Sequence, residues 1–204
     1  MQRISALNNQ FKHVPMAPTD PILGLTTGFK NDKNPKKVNL GVGAYRDNNG
    51  KPYVFPVVRK AEQKIVADAT LDKEYLPIDG LAEFRKGAQG VLFGFNSPWV
   101  GDERVASIQT LSGTGALRVI AEFLTAFRPG ALYVSNPTWG NHNQVFKSAG
   151  VPVRSYRYFD KKTKGLDIKG MIADLDSAQP GSAVLLHTCA HNPTGVDPTE
   201  AQWQ

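Results

Sequence analysis

The stretch that decides the fold runs from Arg104 to Phe127 and reads RVASIQTL, SGTGALR, VIAEFLTAF. Residues 104–111 carry enough β-branched and apolar side chains to predict a strand, and Leu117, Ile120, Ala121, Leu124 and Phe127 recur at helical spacing. Ser112, Gly113, Thr114 and Gly115 therefore fall at a strand-to-helix turn. The first N–H groups of a helix have no intrahelical acceptor, glycines let an anion come close to the backbone, and two hydroxyls add donors. That chemistry suits a phosphate. A tight glycine turn capped by Ser or Thr has the same sequence, and short glycine motifs alone do not separate the two.

The following sequence repeats the plan. Ala131–Ser135 (ALYVS) reads as a buried strand, ended by Asn136-Pro-Thr-Trp-Gly140, and Val145, Phe146 and Ala149 mark a helix closed by Gly150. Val153–Phe159 is a further strand, and Lys161–Gly165 a polar turn. Asp167 caps a helix carrying Ile168, Met171, Ile172 and Leu175. Ala183–Cys189 (AVLLHTC) reads as another buried strand, ended by Ala190-His-Asn-Pro-Thr-Gly195. Strands that are nearly continuous apolar runs, alternating with helices, predict an α/β fold with a parallel sheet covered on both faces.

Before residue 104 the pattern is looser. Met1–Pro35 holds Pro15, Pro18 and Pro21 and reads as an extended arm. Lys37–Arg46 is a short strand interrupted by Gly41 and Gly43, which mark either bare backbone facing a ligand or a bulge. Asp47-Asn-Asn-Gly50 is a hairpin turn. Val58, Ala61, Ile65 and Ala69 mark one helix face, and Leu81, Phe84, Ala88 and Leu92 another; Tyr75 sits in the break between them. Trp99 falls in the loop that follows and reads as a packing residue.

Composition narrows the function. The 204 residues are 41% hydrophobic and 21% charged, which is ordinary globular material. The formal charge of +6 comes from Lys and Arg spread along the chain without interleaved aromatics, which a solvated surface or a site for acidic small molecules explains better than nucleic acid. No apolar run approaches bilayer length, and no membrane role is expected. The single cysteine, Cys189, excludes an internal disulfide and reads as a small buried side chain. No metal site is expected. Met1–Thr19 carries Arg3 and Lys12 and no acid, a pattern shared by mitochondrial presequences and ordinary disordered N-termini.

Ligands of parallel sheets gather at the carboxyl ends of the strands. That rule brings together the SGTG turn, the Asn136–Gly140 loop and the Ala190–Gly195 loop. One supplies an anion cradle, one a flat aromatic, Trp139, and one a neutral amide, Asn192. The combination suits a planar phosphorylated cofactor. Asn136-Pro137 and Asn192-Pro193 also make cis peptides possible.

Five stretches in order, VNLGVGAYRD (Val38–Asp47), LDKEYLPIDGLAEF (Leu71–Phe84), SGTGALR (Ser112–Arg118), NPTWGNH (Asn136–His142) and HTCAHNPTGVDPT (His187–Thr199), closely resemble the aspartate aminotransferases. The likeness covers the chain from about Val14 to its end. It implies the type I pyridoxal-phosphate fold, with residues 1–50 as N-terminal arm and small-domain segment and 51–204 as the first part of the cofactor-binding large domain. It implies that Ser112, Gly113 and Thr114 hold the cofactor phosphate, that Trp139 stacks on its ring, and that Asn192 donates to its phenolic oxygen. Gly43, Trp139 and Asn192 would also meet the dicarboxylate substrate. Tyr75 matches the tyrosine that reaches the phosphate in a neighbouring subunit, which implies a homodimer. His142, His187 and His191 fall at positions where a supporting or structural role is expected.

The family's Schiff-base lysine, its aspartate for the pyridine nitrogen and its substrate arginines fall beyond the position matching Gln204, so no catalytic residue is assigned within this chain. Asp197, Pro198 and Glu200 announce a helix just before the end, which reads as a truncated sequence. The resemblance implies amino transfer between L-aspartate with 2-oxoglutarate and oxaloacetate with L-glutamate, and inactivity for these 204 residues alone. The alternative is a non-catalytic fragment that binds phosphate or a partner chain. A nucleotide-binding domain fits less well, because Ser112–Arg118 supplies neither a Gly-x-Gly-x-x-Gly turn nor a Walker lysine. His13–Leu23 resembles the mitochondrial form; a cytoplasmic location is the alternative.

Overall fold

The computed structural model describes residues 11–15, 21–39, 41, 43–102 and 104–204, which fall into two compact units dividing after Glu74. Most of the N-terminal stretch with presequence character, and Leu40 and Val42 of the Lys37–Arg46 strand expectation, lie outside the described residues.

In the first unit the expected extended arm contains a helix, α1 (Pro21–Asn31). Pro21, one of the prolines that suggested an extended arm, opens that helix, where a missing N–H costs nothing. The hairpin turn forms as expected: Asp47 N–H donates to the Lys51 carbonyl at 2.9 Å, Gly50 turns at φ +73°, and Arg46 bridges Pro52. Tyr45, Tyr53 and Phe55 gather beside it. Helix α2 (Pro56–Ala67) ends before Ala69, and its apolar stripe, with Val58 and Ile65, stays exposed.

The second unit holds the sheet. Strands β1 (Leu132–Asn136), β2 (Val153–Arg157) and β5 (Ala183–Val184) run parallel in the order β2-β1-β5, with Leu132 level with Val153 and Ala183. A small antiparallel hairpin, β3 (Phe159–Asp160) with β4 (Gly165–Leu166), follows β2. Central β1 is buried on both faces, and its period-two alternation sends Leu132 and Val134 one way and Tyr133 the other. The first face packs on α5 (Ser112–Phe127) and α6 (Gly140–Ser148) through Leu117, Ala121 and Phe146. The second packs on α7 (Ile168–Asp176) through Met171, with Tyr156 and Tyr158 beside it. Asp167 caps α7, accepting the Gly170 N–H at 2.9 Å, and Arg157 forks onto Asp174 to fasten α7 to β2.

Four expectations change here. Residues 104–110 are extended but form no ladder, because no strand among the described residues presents an edge to them. Their backbone carbonyls are met by side chains of α3 (Ala82–Phe93) instead: Arg85 reaches Ser107 and Gln89 reaches Val105, both at 3.3 Å. Helix α3 accordingly turns its polar side inward and leaves Phe84 and Leu92 exposed, the reverse of the face read from periodicity. The run Ala183–Cys189 pairs only at its start, with one further bond from Leu185 N–H to Tyr133; as the neighbour of β1 on one side only, it leaves Val184 and Leu186 partly exposed and Cys189 exposed. The last helix, α8 (Glu200–Trp203), is capped by Thr199 in a capping box with Gln202, not by Asp197, whose carboxylate is engaged elsewhere.

The packing predicts two graded losses. In urea unfolding of the folded protein, Phe146→Ala lowers stability by about 3–5 kcal/mol through a cavity under β1, and Asp167→Ala by about 1 kcal/mol through the lost cap.

Candidate active site

Helix α5 returns through the short connection 128–131 into β1, so it lies antiparallel to that strand, with its N-terminus at the strand's carboxyl end. The loop 137–139 after β1 and the loop 187–195 after β5 leave the sheet at the same end, because the strands are parallel. The three stretches singled out from sequence therefore share one rim, in the crevice where parallel sheets hold ligands.

At the first, Ser112 opens α5 in the left-handed region, φ +57°, which L-residues rarely adopt and which strained functional turns favour. Its N–H bonds Thr110 O at 2.9 Å, and the Thr110 hydroxyl returns to Ser112 O at 3.0 Å. Gly115 N–H reaches back to Leu111, leaving the N–H groups of Gly113 and Thr114 without an acceptor among the described residues. Two free donors at the positive end of a helix of sixteen residues form an anion site in chemical terms.

The other two loops are joined by a column of rings. Half-buried Trp139, the residue before α6, meets His142 edge-on at 5.4 Å; His142 meets His187 at 5.2 Å. His187 stacks on His191 at 4.3 Å, and His191 on Tyr158 at 3.9 Å. His191 is 2% exposed and fully bonded, to Ser135 Oγ at 2.8 Å and Thr194 Oγ1 at 2.7 Å. His142 bonds Thr138 Oγ1 at 2.8 Å. His187 Nδ1 accepts the Asn192 backbone N–H at 3.0 Å, which places the proton of its neutral ring on Nε2, a buried atom with no partner among the described residues. The Asn192 side chain stands exposed at the rim. Both Asn136-Pro137 and Asn192-Pro193 are cis.

Burial keeps these imidazoles neutral. Desolvation, then the neighbouring His187, push His191 from its ordinary 6.5 down to about 4, and desolvation lowers His142 and His187 as well. Asp197 accepts the N–H groups of His191 and Ala190 at 2.8 and 2.7 Å, which hold its carboxyl below the ordinary range. Burial raises Tyr156 to about 12. The rim therefore offers donors and flat rings that carry no charge of their own.

The remaining expected residues are Tyr75 and Gly43. Tyr75 begins the second unit with its side chain 96% exposed. Gly43 lies in the first unit, where an added Cβ would meet nothing within 4 Å. The sequence gives the three histidines a supporting or structural role and Asp197 a helix cap, but not the ring column or the grip on the Ala190 and His191 amides that they form. A signal was there: His187 and His191 are an even number of residues apart after a strand, so a continuing period of two aims both rings the same way. Asp197 and Thr199 compete as caps for one helix, and the loser has another role.

The profile of the aminotransferase class I and II family matches residues 35–204. A mitochondrial aspartate aminotransferase of Schizosaccharomyces pombe is 56% identical over 191 residues, covering 93% of this chain and 43% of the relative. A cytoplasmic aspartate aminotransferase of Oryza sativa subsp. japonica is 54% identical over 200 residues, 98% of this chain and 49% of the relative. The crystal structure of an aromatic-amino-acid aminotransferase from Burkholderia pseudomallei, covalently bound to pyridoxal phosphate, superimposes with a TM-score of 0.88 at 46% identity, covering 95% of this chain and 48% of that one. The chain belongs to the aminotransferase class I and II family. It spans about half the length of the curated relatives it matches.

Two outcomes follow from this geometry. NMR titration of the folded protein finds His191 protonating near pH 4; because the unfolded chain takes up that proton near pH 6.5, stability falls as pH drops through this window and this contribution levels off below it. Ser112→Gly relieves the left-handed strain and raises thermal stability by about 1 kcal/mol in the ligand-free protein, measured by calorimetry.

Proposed function

We propose that the protein to which these residues belong is an aspartate aminotransferase using pyridoxal 5'-phosphate, exchanging amino and keto groups between L-aspartate with 2-oxoglutarate and oxaloacetate with L-glutamate. The single observation that carries this reading is the match to aspartate aminotransferases at 54% and 56% identity across nearly the whole chain.

The rim fits the cofactor. A phosphate dianion needs several donors and no competing carboxylate, and the free N–H groups of Gly113 and Thr114 with the hydroxyls of Ser112 and Thr114 provide them at a helix N-terminus. A flat pyridine ring suits the Trp139 indole, held edge-on by His142. A phenolic oxygen suits the exposed Asn192 amide. Pyridoxal phosphate, when bound, supplies the electron sink that makes the amino acid's α-proton removable. The residues present here would hold it: Ser112–Thr114 would take the phosphate, Trp139 would stack on the ring, and Asn192 would donate to the phenolic oxygen. Neutral His142, His187 and His191 support the rim without adding charge that would compete for the phosphate. The lysine that moves the proton is assigned by family resemblance to sequence after Gln204.

Gly43 and Trp139 would line the substrate side, with Asn192 beside them. Tyr75, exposed on this chain, would complete the site of a second subunit, so the working form is a homodimer. In this reading residues 1–50 are the arm and small-domain segment and 51–204 open the large domain. Relatives named mitochondrial and cytoplasmic are comparably similar; His13–Leu23 favours the mitochondrial matrix.

The test is turnover by the full-length protein loaded with pyridoxal phosphate. Aspartate with 2-oxoglutarate should yield oxaloacetate and glutamate, with phenylalanine a much poorer amino donor; no turnover, or preference for the aromatic donor, contradicts the reading. Thr114→Ala should weaken cofactor retention about tenfold or more, as loss of a bond to a charged group does.

A further inference from the structure

The Asn192 loop is built around a carboxylate that the site just described does not use. Asp197 Oδ2 accepts Ala190 N–H at 2.7 Å and Oδ1 accepts His191 N–H at 2.8 Å, so both oxygens grip consecutive amides directly before Asn192. Ala190 sits at φ +51°, a left-handed conformation that costs an alanine energy and that nothing in its own methyl side chain compensates. His191 is almost wholly buried, so its N–H would be orphaned if the carboxylate were removed. Charge-assisted bonds of this length are the stronger kind. Downstream, Gly195 N–H reaches His191 O at 2.7 Å and the Tyr158 hydroxyl reaches Val196 O at 2.6 Å, so the loop closes on itself around the clamp. The titratable groups facing the carboxylate are His187 and His191, both held neutral, and Tyr158.

We propose that Asp197 is a positioning residue: by clamping the amides of Ala190 and His191 it holds Ala190 left-handed and so aims the Asn192 side chain at the ligand's phenolic oxygen. The aim at that oxygen rests on the aminotransferase reading; the clamp on the loop stands apart from it. Asparagine at position 197 presents one acceptor and one N–H₂ group to two donors, so one grip is lost. Glycine at position 190 adopts the left-handed turn without cost, so it relieves the need for the clamp.

The experiment uses the full-length protein with Asp197→Asn, Ala190→Gly and the double variant. Two properties are read: hydrogen exchange of the 190 and 191 amides without cofactor, and the pH midpoint of the visible band with pyridoxal phosphate bound. Asp197→Asn should speed exchange about tenfold or more. It should also raise the midpoint by about one pH unit, because a weakened donor favours the phenolate less. Adding Ala190→Gly should recover at least half of the midpoint shift, a rescue that general loosening of the fold would not give. Unchanged exchange in Asp197→Asn overturns the clamp, and a shifted midpoint that Ala190→Gly leaves unrecovered overturns the aiming role. If Asp197→Asn does not fold, the double variant decides: its folding with a near-normal midpoint supports the proposal, and its failure overturns it. Wild-type protein that takes up no pyridoxal phosphate would instead sink the aminotransferase reading, with the exchange arm still deciding the clamp.

Discussion

Strand β1 has to be covered on both faces and paired on both edges, and the rest of the second unit follows from that constraint. Leu132 and Val134 require α5 and α6 on one side, Tyr133 requires α7, Tyr156 of β2 and Tyr158 just after it on the other, and its free backbone groups require β2 and β5. Parallel pairing then fixes direction. Every loop that follows a strand, and the N-terminus of the helix that precedes one, is delivered to the same rim. Burial of these side chains thus assembles the site, and Tyr158 also joins it by stacking on His191.

The rim uses this rigidity to hold polar groups in conformations that would not persist alone. Ser112 and Ala190 are both left-handed non-glycine residues, one opening the anion cradle and the other preceding Asn192. Each is tied down locally, Ser112 by Thr110 and the first turn of α5, Ala190 by Asp197. The column of imidazoles beside Ala190 is uncharged, because three adjacent, desolvated rings resist protonation. The result is a surface rich in oriented dipoles and poor in net charge, suited to a ligand that brings its own phosphate.

How much of this was legible in the sequence depends on whether the signal was local. The helix from Ser112, the strand at Leu132, the Asp167 cap and the Asp47–Gly50 turn are written in periodicity and turn chemistry, and they appear where expected. The extended segment 104–110 is not, since a strand exists only through a neighbour, and here α3 supplies side chains in place of one. The inverted face of α3 has the same origin: Arg85 and Gln89 are drawn inward by carbonyls that periodicity cannot see. Ser112–Thr114, Trp139 and Asn192 stand out in the sequence because each follows or opens a regular element, and parallel pairing brings their loops to one rim. Asp197 does not, because its partners are backbone amides six and seven residues away, and a carboxylate before proline looks like a helix cap.

The central claim is that the unpaired amides of Gly113 and Thr114 receive the phosphate of a planar cofactor. Hydrogen exchange at these two amides in the full-length protein, with and without pyridoxal phosphate, measures this directly. Strong protection of both on loading, with the α5 interior unchanged, is the predicted result; tight cofactor binding that leaves both amides exchanging as before would contradict it.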